Sequence, residues 1–345
     1  MNYLYFLYIE FLAKHNIPQI FGDITFYVIP CFIIFIALIL IILALMLFVF
    51  FGLTVYFFFI TFVKMRIPDL EDVYNKDNEV FKEYVETFKT GVDFINNSPY
   101  TWIYTLSFDG LKLAARYYDI KSDKTIILFH GYRSLPARDF SYAVKMYSEL
   151  GYNVLLCEQR AHGRSEGKLI SFGIRESRDV SSWVTYISEK YKCRKIALCG
   201  ISMGATTVLL SLKNKMQNEV KCVIADCGFT SPEEIIRIVG KKAFNLNAKI
   251  FLPFLNFYCK ILGKFSIKGV STVDIIKKTK MPVLLIHGEA DSFVPCDMSK
   301  EVYNAAKNGN VRLITVKNAN HGMSGLVDRK NVYCGIKKFL RENVV

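Results

Sequence analysis

Charged residues are absent from one continuous stretch of this 345-residue chain, residues 24–63. About 20 apolar residues cross a bilayer as a helix, so the stretch predicts a transmembrane segment rather than a buried core helix. A basic start and a small-residue cleavage site are also missing, which argues against a cleaved signal peptide. Because no polar turn interrupts the stretch, one long tilted helix is favoured over a hairpin that breaks near Gly52.

Cysteines with CxxC spacing are missing too, although the chain contains nine cysteines. Several lie in or beside apolar, strand-like runs, where a free thiol behaves as a small hydrophobic side chain, and this pattern favours a reducing compartment. The sequence also lacks zinc-finger spacing, an RNP-like aromatic motif and an arginine-rich arm. No sequence motif therefore supports a nucleic-acid partner.

Positive charge exceeds negative charge, with 44 Lys and Arg against 31 Asp and Glu and a net charge of +13. Beside a membrane span, such a balance suits an anionic lipid surface, so the lipid bilayer is the predicted partner. Lys64 and Arg66 follow the span directly, with Lys76 and Lys82 beyond, whereas Lys14 is the only Lys or Arg before it. The positive-inside tendency therefore predicts that the rest of the chain lies in the cytoplasm, unless the span is a hairpin.

The composition divides the chain into four parts. Residues 1–23 are aromatic-rich and lightly charged, and they predict an interfacial segment before the transmembrane segment, residues 24–63. Residues 64–100 are rich in charge and predict a solvated helical neck. Residues 101–345 predict one domain with a cap inserted at residues 229–275.

Strand and helix patterns alternate through this last part. Two apolar-rich runs around Asp109-Gly110 predict a β-hairpin, and helical patterns follow at residues 138–150, 174–191 and 205–213. Short β-branched or apolar runs between them predict strands at residues 125–129, 153–156, 196–199, 222–225, 283–286 and 311–316. Such alternation is typical of an α/β fold with a mostly parallel sheet, whose reactive groups gather beyond the carboxyl ends of the strands.

A candidate nucleophile follows the strand at residues 196–199. Residues 200–204 read Gly-Ile-Ser-Met-Gly and lead into a helical pattern, which is G-x-S-x-G between strand and helix. In this arrangement a sharp turn lifts the hydroxyl of Ser202 above the sheet, and the helix amides favour negative charge beside it. A small-residue turn that only packs a helix on a sheet would show the same five residues.

The histidine and acid that such a serine needs are predicted from their order along the chain. His321 and His287 follow Ser202; His321 lies in a loop after the last predicted strand and is the predicted base, whereas His287 is interpreted as structural. Asp291 follows the strand predicted at residues 283–286 and is the predicted acid, which would fix the imidazole tautomer. Alternatively, Asp291 could simply cap a helix. Other carboxylates that remain open for this role are Glu289, Asp297 and Asp226.

Two backbone N–H groups are predicted to form an oxyanion hole. The strand at residues 125–129 ends in His130-Gly131, and the glycine allows the N–H of Tyr132 to face the substrate oxygen. The second donor is the N–H of Met203, the residue after the nucleophile. His130 is interpreted as fixing its loop, and residues 158–167 as a hydrogen-bonded structural turn.

Five motifs in this order resemble the α/β-hydrolase superfamily: HGY, EQRAHGRSEG, GISMGA, HGEADSFVP and NANHG. They are most similar to its bacterial membrane-anchored branch, which resembles the serine aminopeptidase and monoacylglycerol-lipase-like group. The resemblance covers about residues 101–340. It implies an α/β-hydrolase fold with an eight-stranded, mostly parallel sheet, the triad Ser202, Asp291 and His321, and Tyr132 and Met203 as oxyanion donors.

Residues 237–280, which cover most of the predicted cap and the segment after it, carry ten Lys or Arg and one acid, Asp274, among many large apolar side chains. An apolar and basic cap suits a lipid surface and an acyl pocket, although its apolar face could simply pack on the core. We therefore expect hydrolysis of lipid-like acyl esters through an acyl-serine, which requires no metal or organic cofactor. A peptidase, aminopeptidase or thioesterase on the same triad is the alternative, and a non-catalytic membrane scaffold is another; the oligomeric state is not indicated.

Overall fold

The computed structural model describes residues 2–17, 28–66, 83–214, 216–245 and 247–344. The chain forms two compact units, Met1–Phe57 and Phe58–Val345. The predicted interfacial segment, the start of the predicted span and the first half of the predicted neck lie partly outside the described residues. Lys76 and Lys82, which entered the orientation argument, lie outside them as well.

Helices dominate the N-terminal unit. Helix α1 spans Asn2–Lys14 and helix α2 spans Ile29–Phe62, which continues into the second unit. The 34 residues of α2 are about 51 Å long at 1.5 Å per residue, more than the roughly 30 Å hydrocarbon core of a bilayer. Its most apolar stretch is 0% buried, unlike a core helix. The helix passes through Gly52 without a break, so the hairpin alternative is wrong.

An eight-stranded sheet forms the second unit in the order β1-β2-β4-β3-β5-β6-β7-β8. The strands are β1 Thr101–Leu106, β2 Lys112–Tyr118, β3 Lys124–Phe129, β4 Asn153–Glu158, β5 Lys195–Ile201, β6 Val220–Asp226, β7 Val283–Gly288 and β8 Val311–Val316. The β1–β2 and β2–β4 pairs are antiparallel, and the remaining pairs are parallel. The predicted α/β fold with its mostly parallel sheet is confirmed.

Helices cover both faces of the sheet. They are α3 Val85–Asn97, α4 Pro136–Asp139, α5 Ala143–Glu149, α6 Glu176–Lys190, α7 Met203–Ser211, α8 Pro232–Phe244, α9 Leu252–Gly263, α10 Thr272–Ile276, α11 Asp297–Ala305, α12 Ser324–Val327 and α13 Arg329–Asn343. The helix predicted at residues 138–150 is divided into α4 and α5. Asp139 explains the break, because its carboxylate accepts hydrogen bonds from the Gly131 N–H and the Ser134 hydroxyl and so holds α4 against the loop after β3.

The core has two parts, one on each face of the sheet. In β3, Ile126 and Leu128 join the buried cluster that contains Phe339, whereas Ile127 joins the cluster that contains Trp183. This alternation follows from the two-residue period of a strand. Because both faces of the sheet are covered, the reactive groups emerge only from the loops beyond the strand ends.

Helix α3 departs from the solvated neck that the sequence predicts. Its side chains Phe88, Val92 and Ile95 are buried, a spacing of four and three residues that places them on one helix face. Gly91 lies on the same side, and a Cβ added there would lie 2.3 Å from the carbonyl oxygen of Ser141. Helix α3 therefore packs closely against the backbone at Ser141, between α4 and α5 of the same unit, instead of standing in solvent.

We expect Gly91→Ala to lower the free energy of unfolding by about 1–3 kcal/mol, because the new methyl group has to displace the backbone at Ser141. Urea unfolding of the detergent-solubilised chain measures the effect. Gly52→Ala is the control, since a Cβ there meets no described atom within 4 Å. Equal stability of Gly91→Ala and the control would contradict this close packing.

Candidate active site

Ser202 occupies a sharp turn between β5 and α7. Its backbone has φ 56° and ψ −117°, a conformation that non-glycine residues rarely adopt and that marks a strained elbow. Glycines on both sides permit the turn: a Cβ at Gly200 would lie 2.2 Å from the backbone of Gly204, and one at Gly204 would lie 1.8 Å from the oxygen of Phe129. The spacing of the motif thus follows from the tight approach of helix, strand and elbow.

The loops after β7 and β8 bring a carboxylate and an imidazole to this serine. His321 Nε2 lies 2.9 Å from Ser202 Oγ, and His321 Nδ1 lies 2.7 Å from Asp291 Oδ2. A carboxylate accepts only, so Nδ1 carries the proton and Nε2 accepts from the serine hydroxyl. The structure therefore brings together the three side chains that the sequence predicts as a triad.

Asp291 is held as a buried carboxylate. The backbone N–H groups of Phe293 and Val294 each donate to its Oδ1 at 2.8 Å. Burial by itself would raise the pKa of Asp291, but hydrogen bonds from His287 and His321 outweigh burial and hold the pKa below its usual value. The carboxylate therefore stays charged beside the imidazole.

The other candidate acids form no hydrogen bond with the imidazole in the part of the chain that the structure describes. Glu289 accepts a hydrogen bond from Thr315 at 2.8 Å, and Asp297 pairs with Lys300 at 3.0 Å near the surface. Asp226 is buried at the end of β6, and burial raises its pKa to about 6. Of the four carboxylates that the sequence left open, Asp291 alone bonds to His321 in the described residues.

His287 braces the loop that carries Asp291. Its ring is fully buried, with Nδ1 2.6 Å from the Ser299 hydroxyl and Nε2 3.0 Å from the carbonyl oxygen of Val294. Cys227 lies below this loop, and its thiol is within 4.8 Å of ligand atoms of Asp291 and His321. Burial raises the pKa of this thiol, so it stays protonated and fits a metal poorly.

The loop after β3 passes directly beside the serine. A Cβ at Gly131 would lie 3.3 Å from the Cβ of Ser202, so only glycine fits there without displacing a neighbour. Within the described residues, the N–H groups of Tyr132 and Met203 donate no hydrogen bond. Met203 opens α7, where the first N–H groups of a helix lack partners. Both predicted oxyanion donors are thus available to a ligand.

Two buried histidines fix this loop. His130 Nδ1 lies 2.8 Å from the Gly131 oxygen, and its Nε2 accepts the Gln159 N–H at 3.0 Å. His162 Nε2 accepts the Arg133 N–H at 3.1 Å. Burial lowers the pKa of His130 to about 4 and that of His162 to about 3, so both rings are neutral and can accept these bonds. The structural interpretation of His130 agrees with these contacts.

The turn at residues 158–167 is also tied to the domain. Arg160 donates through Nε and Nη2 to the two oxygens of Asp179, both at 2.6 Å, and to Asp109 of the β1–β2 turn. A two-pronged bond of this kind fixes the planar guanidinium in one orientation. The turn is hydrogen-bonded, as the sequence predicts, and it carries His162 to the loop after β3.

A cavity of about 170 Å³ opens beside Ser202 and His321. The side chains that line it away from the triad include Phe88, Tyr132, Arg138, Tyr142, Phe293 and Leu326. No described residue of the cap, residues 229–275, is among them, so the expectation that the cap walls an acyl pocket is wrong for this cavity. Helix α3 and the α4–α5 segment form the wall instead, because α3 packs on the domain.

Comparison with known proteins identifies the same fold. Residues 120–267 match a family model described as serine aminopeptidase, S33. The solved esterase Pf2001 of Pyrococcus furiosus superposes with a TM-score of 0.60 at 26% identity, over 73% of this chain and 96% of that one. This chain is a member of the α/β-hydrolase superfamily.

Two curated relatives are similar to this hydrolase in sequence, but their names say little about function. The uncharacterized protein YqkD of Bacillus subtilis is 28% identical over 286 residues, which cover 81% of this chain and 89% of that protein. The protein bem46 of Schizosaccharomyces pombe is 28% identical over 178 residues, or 51% of this chain and 54% of that protein. Neither name specifies a substrate.

Sequence reasoning missed the residues that shape the cavity of this hydrolase. Phe88 is spaced from Val92 and Ile95 as residues on one buried helix face are. This signal is present in the sequence of the predicted neck, residues 64–100. Arg138 and Tyr142 carry no such signal. They reach the cavity only because α4 and α5 are separate helices.

Acidification from pH 6.5 to 4 is expected to weaken the contribution of His130 to stability. In the unfolded chain this histidine binds a proton near its ordinary pKa of about 6.5, whereas the folded chain resists protonation until about pH 4. The free energy of unfolding therefore decreases as the pH falls, by about 3 kcal/mol from His130 over the whole interval. Urea unfolding at a series of pH values measures the loss.

His130→Asn isolates this effect from other groups, such as Asp226, whose raised pKa acts in the opposite direction. The variant is expected to be less stable than the wild type at pH 7, with a difference that narrows toward pH 4. A difference that does not change with pH would contradict the buried, neutral state of His130.

Proposed function

We propose that this chain is a membrane-anchored serine hydrolase that cleaves carboxylic esters through an acyl-serine intermediate. The observation that carries the proposal is the continuous hydrogen-bonded line from Ser202 Oγ through His321 to Asp291, with distances of 2.9 and 2.7 Å. A non-catalytic scaffold has no need of a strained serine at the mouth of a cavity, so this line favours an enzyme.

The proposed reaction begins when Ser202 Oγ attacks the ester carbonyl carbon as His321 Nε2 takes the hydroxyl proton. The carbonyl oxygen becomes an oxyanion that accepts hydrogen bonds from the N–H groups of Tyr132 and Met203. The ester C–O bond then breaks, and His321 returns its proton to the leaving alcohol. Water repeats the sequence on the acyl-serine and releases the acid, while Asp291 stabilises the imidazolium in both halves.

The charges around the site support an ester rather than a peptide with a free amino terminus. An aminopeptidase needs carboxylates that are available to bind the substrate ammonium. Asp139, which lines the cavity, is engaged by the Gly131 N–H and by Ser134, and no described acid of the cap lines this cavity. The esterase Pf2001, a structural neighbour, agrees with this preference.

The size of the cavity bears on the acyl group. About 170 Å³ is less than the roughly 300–1,000 Å³ of pockets that enclose a drug-sized ligand. The cavity therefore accommodates the part of the substrate next to the carbonyl, and a longer lipid-like substrate continues outside it. Phe88 and Leu326 give the wall an apolar character that suits an acyl chain.

A lipid bilayer is the proposed partner. Helix α2 has the length and composition of an anchor. On the cap, Phe257, Ile261 and Leu262 are 56–59% exposed and lie among exposed lysines, a combination suited to anionic lipid. Lys64, which follows α2 directly, supports a cytoplasmic catalytic domain.

The triad is tested by a fluorophosphonate probe together with turnover of p-nitrophenyl esters. We expect the wild type to be labelled, Ser202→Ala to lose labelling and turnover, and Asp291→Asn to lose kcat by a factor on the order of 10⁴. Asp297→Asn is the matched control, because this exposed acid of the neighbouring helix pairs only with Lys300 in the described structure, and it should retain activity. Labelling of Ser202→Ala would refute the proposed nucleophile.

An ester chain-length series beside peptide amides decides the substrate class. Turnover of esters at rates well above those of aminoacyl amides would support the proposal, and the reverse order would make the chain a peptidase. A preference for water-soluble acetates over all longer esters would exclude lipid-like substrates while leaving the triad in place.

The cap is tested by replacing Phe257, Ile261 and Leu262 together with serine. Because these side chains are exposed, we expect the fold and the turnover of a soluble ester to persist, while turnover of an ester embedded in anionic vesicles falls about tenfold. Tyr303→Ser, at an aromatic side chain outside the cap that is 42% exposed, is the control. Unchanged turnover in vesicles would exclude the cap as a lipid contact.

A further inference from the structure

The last turn of α2 is bonded to the loop that carries the proposed oxyanion donor. A helix ends with carbonyl groups that lack donors within the helix. The Tyr132 hydroxyl donates to the Thr61 oxygen at 2.8 Å, and the Arg133 guanidinium donates to the Val63 oxygen at 2.9 Å. We call residues 58–64 the docking segment; all of them belong to the second unit, Phe58–Val345.

Backbone pairing adds to these bonds. The Ile170 N–H donates to the Phe62 oxygen at 2.7 Å, and the Lys64 N–H donates to the Lys168 oxygen, also at 2.7 Å. Between them, Val63 and Leu169 form an antiparallel bridge. The docking segment is thus joined to the domain by main-chain bonds that do not depend on side-chain identity.

Aromatic packing encloses the docking segment. Phe58 is 2% exposed and Phe62 is 0% exposed. The ring of Phe58 lies 5.6 Å from that of Tyr258 in the cap, and the ring of Phe62 lies 5.6 Å from that of Phe172 and 6.0 Å from that of Phe265. Burial of these two rings holds the segment against the domain.

Tyr132 links this packing to the reacting groups. Its ring stacks on Phe172 at 4.9 Å, and Phe172 in turn contacts Phe62, so hydroxyl and ring are both fixed by the docking segment or by its neighbour. The next residue, Arg133, has φ 49°, a left-handed conformation that is unfavourable outside glycine. A loop strained in this way needs contacts from outside to keep one geometry.

We propose that the docking segment is a positioning element of the active site: by holding the side chain of Tyr132, it keeps the N–H of that residue directed at the oxyanion. This inference rests on the proposed function. The end of the anchor helix is then part of the catalytic apparatus, and loosening it lowers the rate of the chemical step, because an oxyanion donor acts only if it is in place before the charge develops.

The test is Tyr132→Phe in the full-length chain in detergent. This change removes the hydroxyl bond to Thr61 and keeps the backbone N–H and the ring. We expect kcat for p-nitrophenyl acetate to fall about tenfold, less than the 10²–10³ that follows complete loss of a donor, with KM within about twofold. The affinity for an alkyl boronic acid, which forms a tetrahedral adduct with Ser202, should fall by the same factor as kcat.

Ser122→Ala is the control. It removes a bond of the same kind, from a side-chain hydroxyl to the Gly151 oxygen at 2.6 Å, just before β3 and so at the opposite end of that strand from the loop that carries Tyr132. We expect kcat and boronic acid affinity of this variant to stay within twofold of the wild type. Arg133→Gln, which removes the guanidinium bond to Val63, is a second variant and should act in the same direction as Tyr132→Phe.

Fluorophosphonate labelling separates failure of this inference from failure of the proposed function. The wild type should be labelled at Ser202 and active. If Tyr132→Phe and Arg133→Gln then keep the wild-type kcat and boronic acid affinity, the positioning role is refuted, whereas the proposed serine hydrolase function is retained. An equal loss in Ser122→Ala would assign the effect to general destabilisation and would also refute the positioning role. A wild type that is neither labelled nor active would remove the proposed function, and the inference with it.

Discussion

The close approach of helix α7 to strand β3 is the constraint on which the site depends. Gly204 lies so near Phe129 that no side chain fits between them, and this contact permits the turn that places Ser202 in its positive-φ conformation. The same approach brings Gly131 to the serine Cβ. Strain at one residue is tolerated because two buried clusters, one on each sheet face, hold both elements in place.

Around this elbow, the buried Asp291 carboxylate is charged and two buried histidines of the neighbouring loops are neutral. Asp291 is the ionised group next to the imidazole, and it receives backbone and histidine donors that keep it so. His130 and His162 are uncharged and act as hydrogen-bonding spacers in the loops. A buried charge without partners is costly, and both oxygens of the Asp291 carboxylate accept hydrogen bonds.

Much of the fold was accessible from the sequence because its signals are local. Short apolar runs predicted the strands of the parallel part of the sheet, and each candidate reactive residue followed one of them. Local signals did not decide among the four acids; Asp291 is distinguished by the N–H groups of Phe293 and Val294 and by His287, which are contacts of the folded loop.

The parts that sequence did not predict depend on contacts between distant segments. The burial of Phe62 against Phe172 joins residues more than a hundred positions apart, and the break between α4 and α5 depends on what Asp139 bonds. Composition could not separate a solvated neck from a packed helix at α3. Its charged face and its buried face occupy the same thirteen residues.

The wall of the cavity has a consequence for how selectivity is encoded in this chain. Phe88 lines the cavity beside Ser202 from a helix that precedes the first strand, whereas no described residue of 229–275 lines it. Under the proposed function, a chimera that received the cap of a relative would inherit that relative's outer surface but keep its own preference for the acyl group. To transfer the substrate preference, a chimera would have to exchange the segment around α3, which lies outside the residues matched by the family model.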